Sequence, residues 1–440
     1  VVKSSLESSF IANFFKLSAI NICSNLMVPI AMLLDVAFLG HLSDVHHLAG
    51  VAIAALIFNY LYWSFGFLRM ATTGLTAQAV GRGDTEAVAL VGLRHGFVAI
   101  VVGLVIILCR GGIRTAGFAV FQAAPEVTVS GQLYFDMMVW GAPATLLCYV
   151  CIGWLLGQSK SSWVLILAIV SNLSKVALDY FFIVKLNYAS AGAGAASAIA
   201  ATVTALMALV MVLQLSDWRS VLPKFWTIEA FRDLFSLNAA IGVRTFALLS
   251  VFALFTQMSV RLGTEILTAN TLILEVLSLA AYFIDGFAFA TETYAGLFYS
   301  RGEWKRMKTL LILSGSCCLA FGLLFAIAFS RFPIALFGLL TNHSEVVAIA
   351  AQSSMWLIPI LGFASVAYML DGYFLGLSAG KVLRDSSILA ALCSGLVLAI
   401  GGYFSQGMLL WLGLVVLMMM RSMSLGWYLR RSFDLESTQL

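Results

Sequence analysis

Charge is what this chain has least of. Only 10% of its 440 residues are Asp, Glu, Lys or Arg, where a soluble domain carries about 25%. The scarcity runs from end to end. It excludes a soluble enzyme, a nucleic-acid binder and a disordered chain, and it leaves no stretch for a sizeable water-exposed domain. Histidine is also rare, at 5 residues. The 7 cysteines all fall in apolar stretches, and none stands at metal-ligand spacing from a histidine. They read as small buried hydrophobes, not as a disulfide framework or a metal site. Only 6 prolines interrupt the chain. No cleavable signal peptide is expected, because the apolar run after Phe10 is too long for a signal h-region.

What the chain has in excess is apolar surface: 61% of residues are hydrophobic and the mean hydropathy is +0.99. A bilayer core of about 30 Å takes roughly 20 apolar residues to cross as a helix. Cutting at polar and Gly-rich breaks gives about a dozen such runs, from 14–39 at one end to 407–429 at the other. Run length and the lack of short alternating segments favour helices over strands. The expected fold is therefore an all-α membrane protein with twelve transmembrane helices in two pseudo-twofold-related six-helix bundles. The first lobe spans 1–215, a cytoplasmic linker 216–233, and the second lobe 234–440. With the N-terminus inside, sixteen Lys and Arg lie in inside segments and five in outside loops, which predicts both termini in the cytoplasm.

The halves repeat. Gly66-Phe67 matches Gly286-Phe287, Trp140-Gly141-Ala142-Pro143 matches Trp356-Leu357-Ile358-Pro359, and Gly153-Trp154-Leu155-Leu156-Gly157 matches Gly372-Tyr373-Phe374-Leu375-Gly376. Six spans per half is even, so the repeats enter from the same side and are related by an axis along the membrane normal. That is a transporter design in which two bundles rock about a central site.

Ionisable residues inside spans are costly and need a partner, water or a function. Asp35, in Met32-Leu33-Leu34-Asp35-Val36-Ala37-Phe38, has only apolar sequence neighbours. Desolvation penalises its charged form, so it is a candidate for proton or cation coupling; the plain alternative is a carboxylate gluing two helices. Lys175 and Asp179 are four residues apart and share a helix face, with Asn172 about one turn earlier. They are either a static ion pair or a pair in which Asp179 exchanges partners. In the second half Asp285 and Glu292 lie two turns apart on one face, and Arg244 and Arg69 are the available cations. With Glu275 and Asp371 these make a candidate polar network or gate, the alternative being ion pairs that only lock helices. Pro29 is a candidate bend. His41, His46 and His47 flank an outside loop and read as surface histidines.

Four segments carry a family resemblance: Leu34 to Leu42; Gly66-Phe67-Leu68-Arg69 through Ala79; Trp140-Gly141-Ala142-Pro143 with Gly153 to Gln158; and Asp285-Gly286-Phe287-Ala288-Phe289-Ala290-Thr291-Glu292. The chain resembles the MATE (multidrug and toxic compound extrusion) family, in its DinF-like branch. The resemblance implies a two-lobed exporter of bulky, often cationic, amphipathic compounds, driven by a proton or sodium gradient. It places the family's coupling aspartates on Asp35 and Asp179. The sequence departs from the pattern at Lys175 (Asn expected), Ile199 (Thr), Ile20 (Pro) and Met138 (Arg). An ammonium at 175 would pair with the aspartates without sodium, so H+ is the expected coupling ion and Na+ the lesser candidate. No cofactor, no metal and no nucleic-acid partner are expected. The partners are small-molecule substrates and membrane lipids, and a monomer is expected because the cleft forms within one chain.

The alternative is a flippase for lipids or lipid-linked precursors, which would want a more cationic cleft than Lys175 alone supplies. An intramembrane enzyme would need a nucleophile–base constellation, and none stands at motif spacing.

Overall fold

The computed structural model describes residues 2–40, 45–120, 124–216, 218–341 and 343–437, without side chains at 2–9, 28, 30–37, 40, 45 and 434–437. The side chain of Asp35 and the whole of His41 therefore lie outside the described residues.

The chain divides into two compact units, Cys23–Phe235, and Val1–Ile22 with Ser236–Leu440. The division falls inside two helices, α1 (Val2–Gly40) and α11 (Ile228–Arg261). The first unit holds α2 (Val45–Ser64), α3 (Phe67–Arg82), α4 (Thr85–Leu108), α5 (Arg110–Val120), α6 (Pro125–Met138), α7 (Ala142–Gly157), α8 (Ser161–Asp179), α9 (Ala189–Leu213) and the single turn α10 (Trp218–Val221). The second holds α12 (Thr264–Ser300), α13 (Trp304–Arg331), α14 (Pro333–Gly338), α15 (Ser344–Ser353), α16 (Leu357–Gly376), α17 (Gly380–Tyr403) and α18 (Gly407–Ser437). Among the described residues, 11 helical segments are long and apolar enough to cross a membrane. α1 carries the first apolar run and continues through Pro29.

All-helical structure is what hydrocarbon permits, because each helix satisfies its own main-chain donors and acceptors. Large apolar side chains such as Leu173, Ile312, Leu392 and Leu396 are more than 60% exposed. In water they would be aggregation patches; in a bilayer they are the solvent-facing surface. Burial in a bilayer gives little drive to helix association, so close packing of small residues must supply it.

The two units pack their helices alike. In the first, α7 lies against α3 and α4; in the second, α16 lies against α12 and α13. The glycines of the repeated motif make the contact. A Cβ on Gly153 would collide with the Arg69 carbonyl, and one on Gly157 would sit 2.7 Å from the Thr73 carbonyl. At the same offset of 219 positions, Gly372 abuts the Ala288 carbonyl and Gly376 the Glu292 carbonyl. The proline motifs behave alike as well. Pro143 and Pro359 each follow a 3₁₀ turn, Val139–Gly141 and Ser354–Trp356, which break α6 from α7 and α15 from α16. Proline lacks an N–H and clashes with the carbonyl four residues back, so a tighter turn is accommodated there.

Gly153→Ala is expected to destabilise the protein by about 1–3 kcal/mol through this overpacking. Gly111→Ala, with nothing near its Cβ, should be nearly silent. Thermal unfolding in detergent, read by size exclusion, checks both.

Candidate ion-coupling sites

Two buried ionic clusters stand out, one in each unit. In the first unit, α8 presents Lys175 and Asp179 on one face, as their spacing requires. The Lys175 ammonium lies 3.6 Å from Asp179 Oδ2 and donates to Ser197 Oγ on α9 at 2.8 Å. The Asp179 side chain is fully buried and that of Lys175 is 12% exposed. Such a pair is costly to desolvate, and its charge-assisted hydrogen bonds offset part of that cost. Directly after Asp179 the chain widens into a π-helical turn, Tyr180–Lys185.

Asn172 is not drawn into this pair in the way the helix-face spacing suggests. Its Nδ2 donates back to the Ala168 carbonyl at 2.9 Å, a bond within its own helix. Ser197 is the partner that the sequence did not single out. It lies in the small-residue run Gly192 to Ser197, where one hydroxyl among Gly and Ala was the only signal.

In the second unit Asp371, on α16, is the centre. Its Oδ2 accepts from Arg244 on α11 and from Arg421 on α18. All three side chains are nine-tenths buried or more. The Arg421 guanidinium also lies 5.5 Å over the Tyr368 ring, a cation–π contact that desolvation strengthens. Tyr368 is within electrostatic reach of Asp285 as well. Arg244, offered above as a cation for Asp285 and Glu292, is thus held by Asp371, and Arg421 joins the cluster as its second cation. Glu292 is fully buried on α12, Asp285 is half-buried, and Glu275 is exposed on the same helix. Arg69 belongs to the first unit, half-buried on α3 with Tyr149 in electrostatic reach.

The histidines correct one expectation. His47 is not a surface residue: it is half-buried, and its Nδ1 lies 2.9 Å from both Ser130 Oγ and Ser190 Oγ. Among the described residues no group of three or more His, Cys, Asp or Glu could hold a metal ion.

Known proteins share the fold that carries these clusters. The MatE family model matches residues 21–181 and 240–404, one stretch in each half. DNA damage-inducible protein F of Escherichia coli (strain K12) is 31% identical over 419 residues, covering 93% of this chain and 90% of that one. A probable multidrug resistance protein NorM of Synechococcus is 22% identical, covering 77% and 74%. A solved MATE transporter in the bent conformation superposes with a TM-score of 0.88 at 16% identity, over 97% and 96% of the two chains. Matched in both halves by the family model and over nine-tenths of its length by a relative, this multi-pass membrane protein belongs to the MATE family of transporters.

Proposed function

We propose that this chain exports bulky amphipathic, often cationic, compounds by proton-coupled antiport, with its two units alternating access to the two sides of the membrane. The export of drugs and toxins follows from the family and from relatives described as multidrug resistance proteins. The coupling assignment rests on one observation, the Lys175 ammonium held between Asp179 and Ser197. A cation site already filled by a covalently attached ammonium does not need sodium. A proton can then act by neutralising an aspartate and loosening the pair. Asp35 and Asp179 are the proposed proton-binding residues, with Lys175 as the internal cation. The Asp371–Arg244–Arg421 cluster, with Asp285 and Glu292 nearby on α12, is the proposed gating network. The termini are proposed to lie in the cytoplasm of a cell (inner) membrane, on the charge asymmetry of the loops.

The test is efflux of a cationic dye from proteoliposomes under an imposed pH gradient or an imposed sodium gradient. A pH gradient should drive efflux and a sodium gradient should not. Asp35→Asn should abolish the response. Sodium-driven transport insensitive to pH, or full activity in Asp35→Asn, would overturn the reading. Lipid scrambling without dye efflux would favour the flippase.

A further inference from the structure

An apolar groove of about 320 Å³ lies on the first unit between α4, α7 and α9, away from the Lys175–Asp179 pair. Its floor includes Gly96, Val150, Cys151 and Trp154, all buried. Its mouth includes Phe97, Ile100, Leu213 and Leu222, all exposed. One end is closed by Trp218 on α10 and by Phe225. Both indoles at that end are fixed by their N–H groups, Trp154 to the Val88 carbonyl at 2.7 Å and Trp218 to the Leu213 carbonyl at 3.1 Å.

Three features say what fills it. The lining contains no charged side chain. Along α4 the groove runs from Gly92 to Ile100, about 12 Å of helix, which fits within the roughly 15 Å of a single leaflet. The rim carries no net charge. Segment 216–233 has three basic and three acidic residues, Lys224 pairs with Glu86 at 2.6 Å, and Arg94 donates to the carbonyls of Lys224 and Phe225. Trp226 and Ile228, further along the same segment, are 71% and 89% exposed and continue the apolar surface.

We propose that this groove binds one acyl chain of a membrane phospholipid, whatever its headgroup. The chain wedges the Trp218–Phe225 segment against α4, α7 and α9. A balanced rim gives no preference for headgroup charge, and an apolar lining gives no anchor for a polar compound. Selection over bulk lipid comes from packing alone, since both environments are hydrocarbon. The inference is independent of the coupling ion and of the exported compound.

The test is tryptophan emission of the full chain in bilayers containing phospholipid with brominated acyl chains. The groove signal is the difference between the wild type and Trp218→Phe. With Trp154, which also lines the groove, replaced by Phe throughout, that signal should be half-quenched at a brominated fraction roughly tenfold lower than the tryptophans outside the groove require. Phosphatidylcholine and phosphatidylglycerol should act alike. Gly96→Leu should erase the preference, since a Cβ at 96 meets only the Leu147 side chain at 3.6 Å and a larger side chain would occupy the groove. Val150→Phe fills it from the opposite wall and serves if Gly96→Leu does not elute as folded protein. Quenching of Trp218 in step with the tryptophans outside the groove would overturn the proposal, and so would a preference that survives both filling variants. A tenfold choice between headgroups would instead mean a headgroup site. Displacement of the brominated chain by tetraphenylphosphonium would mean a compound site. Either result also overturns it.

Discussion

Asp371→Ala is expected to cost about 3–5 kcal/mol of stability, lowering the midpoint of thermal unfolding in detergent by roughly 3–5 °C. The carboxylate accepts from two guanidiniums, on α11 and α18, in a region where Arg421 keeps only 1% of its side chain exposed. Removing it strips both arginines of a shared counter-charge that water cannot replace. Asp371→Asn keeps the volume and loses the charge, so it should cost nearly as much; a small effect would assign the role to packing. Exchanging the whole cluster, Arg244→Met with Asp371→Leu and Arg421→Met, should recover much of the loss, because buried ion triads are often replaceable by apolar residues of similar volume. An unchanged midpoint in Asp371→Ala would remove the cluster from any account of what holds α11, α16 and α18 together.

The second large effect concerns transport. Asp179→Asn is expected to lower gradient-driven efflux by about 10- to 100-fold, since a charge-assisted pair contributes about 1.5–3 kcal/mol to the state that contains it. Substrate–substrate exchange, which needs no gradient, should fall much less. That contrast separates a coupling residue from one that only supports the fold. Lys175→Asn removes the internal cation and restores the residue that the resemblance leads one to expect. It should make efflux respond to sodium. Equal loss of exchange and of gradient-driven efflux in Asp179→Asn would reduce the pair to a structural brace.

Where the sequence succeeded and where it did not follows from how far apart the interacting residues lie. Spans are local: run length alone put the last one at 407–429, where the membrane-length helix runs Gly407–Phe433. The Lys175–Asp179 pair was legible because helix geometry brings residues four apart to one face. Ser197 was not, because it reaches Lys175 from another helix, 22 positions on. The Asp371 cluster draws on three helices, and Arg421 lies 50 positions from Asp371. Spacing offers no handle on such contacts, so Arg421 was not singled out as a partner of Asp371. Asn172 shows the converse. A shared face permits contact without requiring it: Asn172 Nδ2 donates to the Ala168 carbonyl instead. The π turn after Asp179 has no signature in Tyr180-Phe181-Phe182-Ile183-Val184-Lys185, whose apolar pattern suits an α-helix equally well.

The glycine contacts bear on how each unit can deform. Where Gly153 and Gly157 seat α7 on α3, and Gly372 and Gly376 seat α16 on α12, the seam is filled by main-chain carbonyls and by the short stems of Thr76 and Ala295, with no long side chain at the glycines to act as a bearing. Sliding would drive carbonyl oxygens into Cα atoms, so each pair must travel as one plank. Flexing within a unit is then left to the 3₁₀ breaks at Val139–Gly141 and Ser354–Trp356. Spin labels on α3 and α7 should keep their separation through a transport cycle, while labels on α6 and α7 should not.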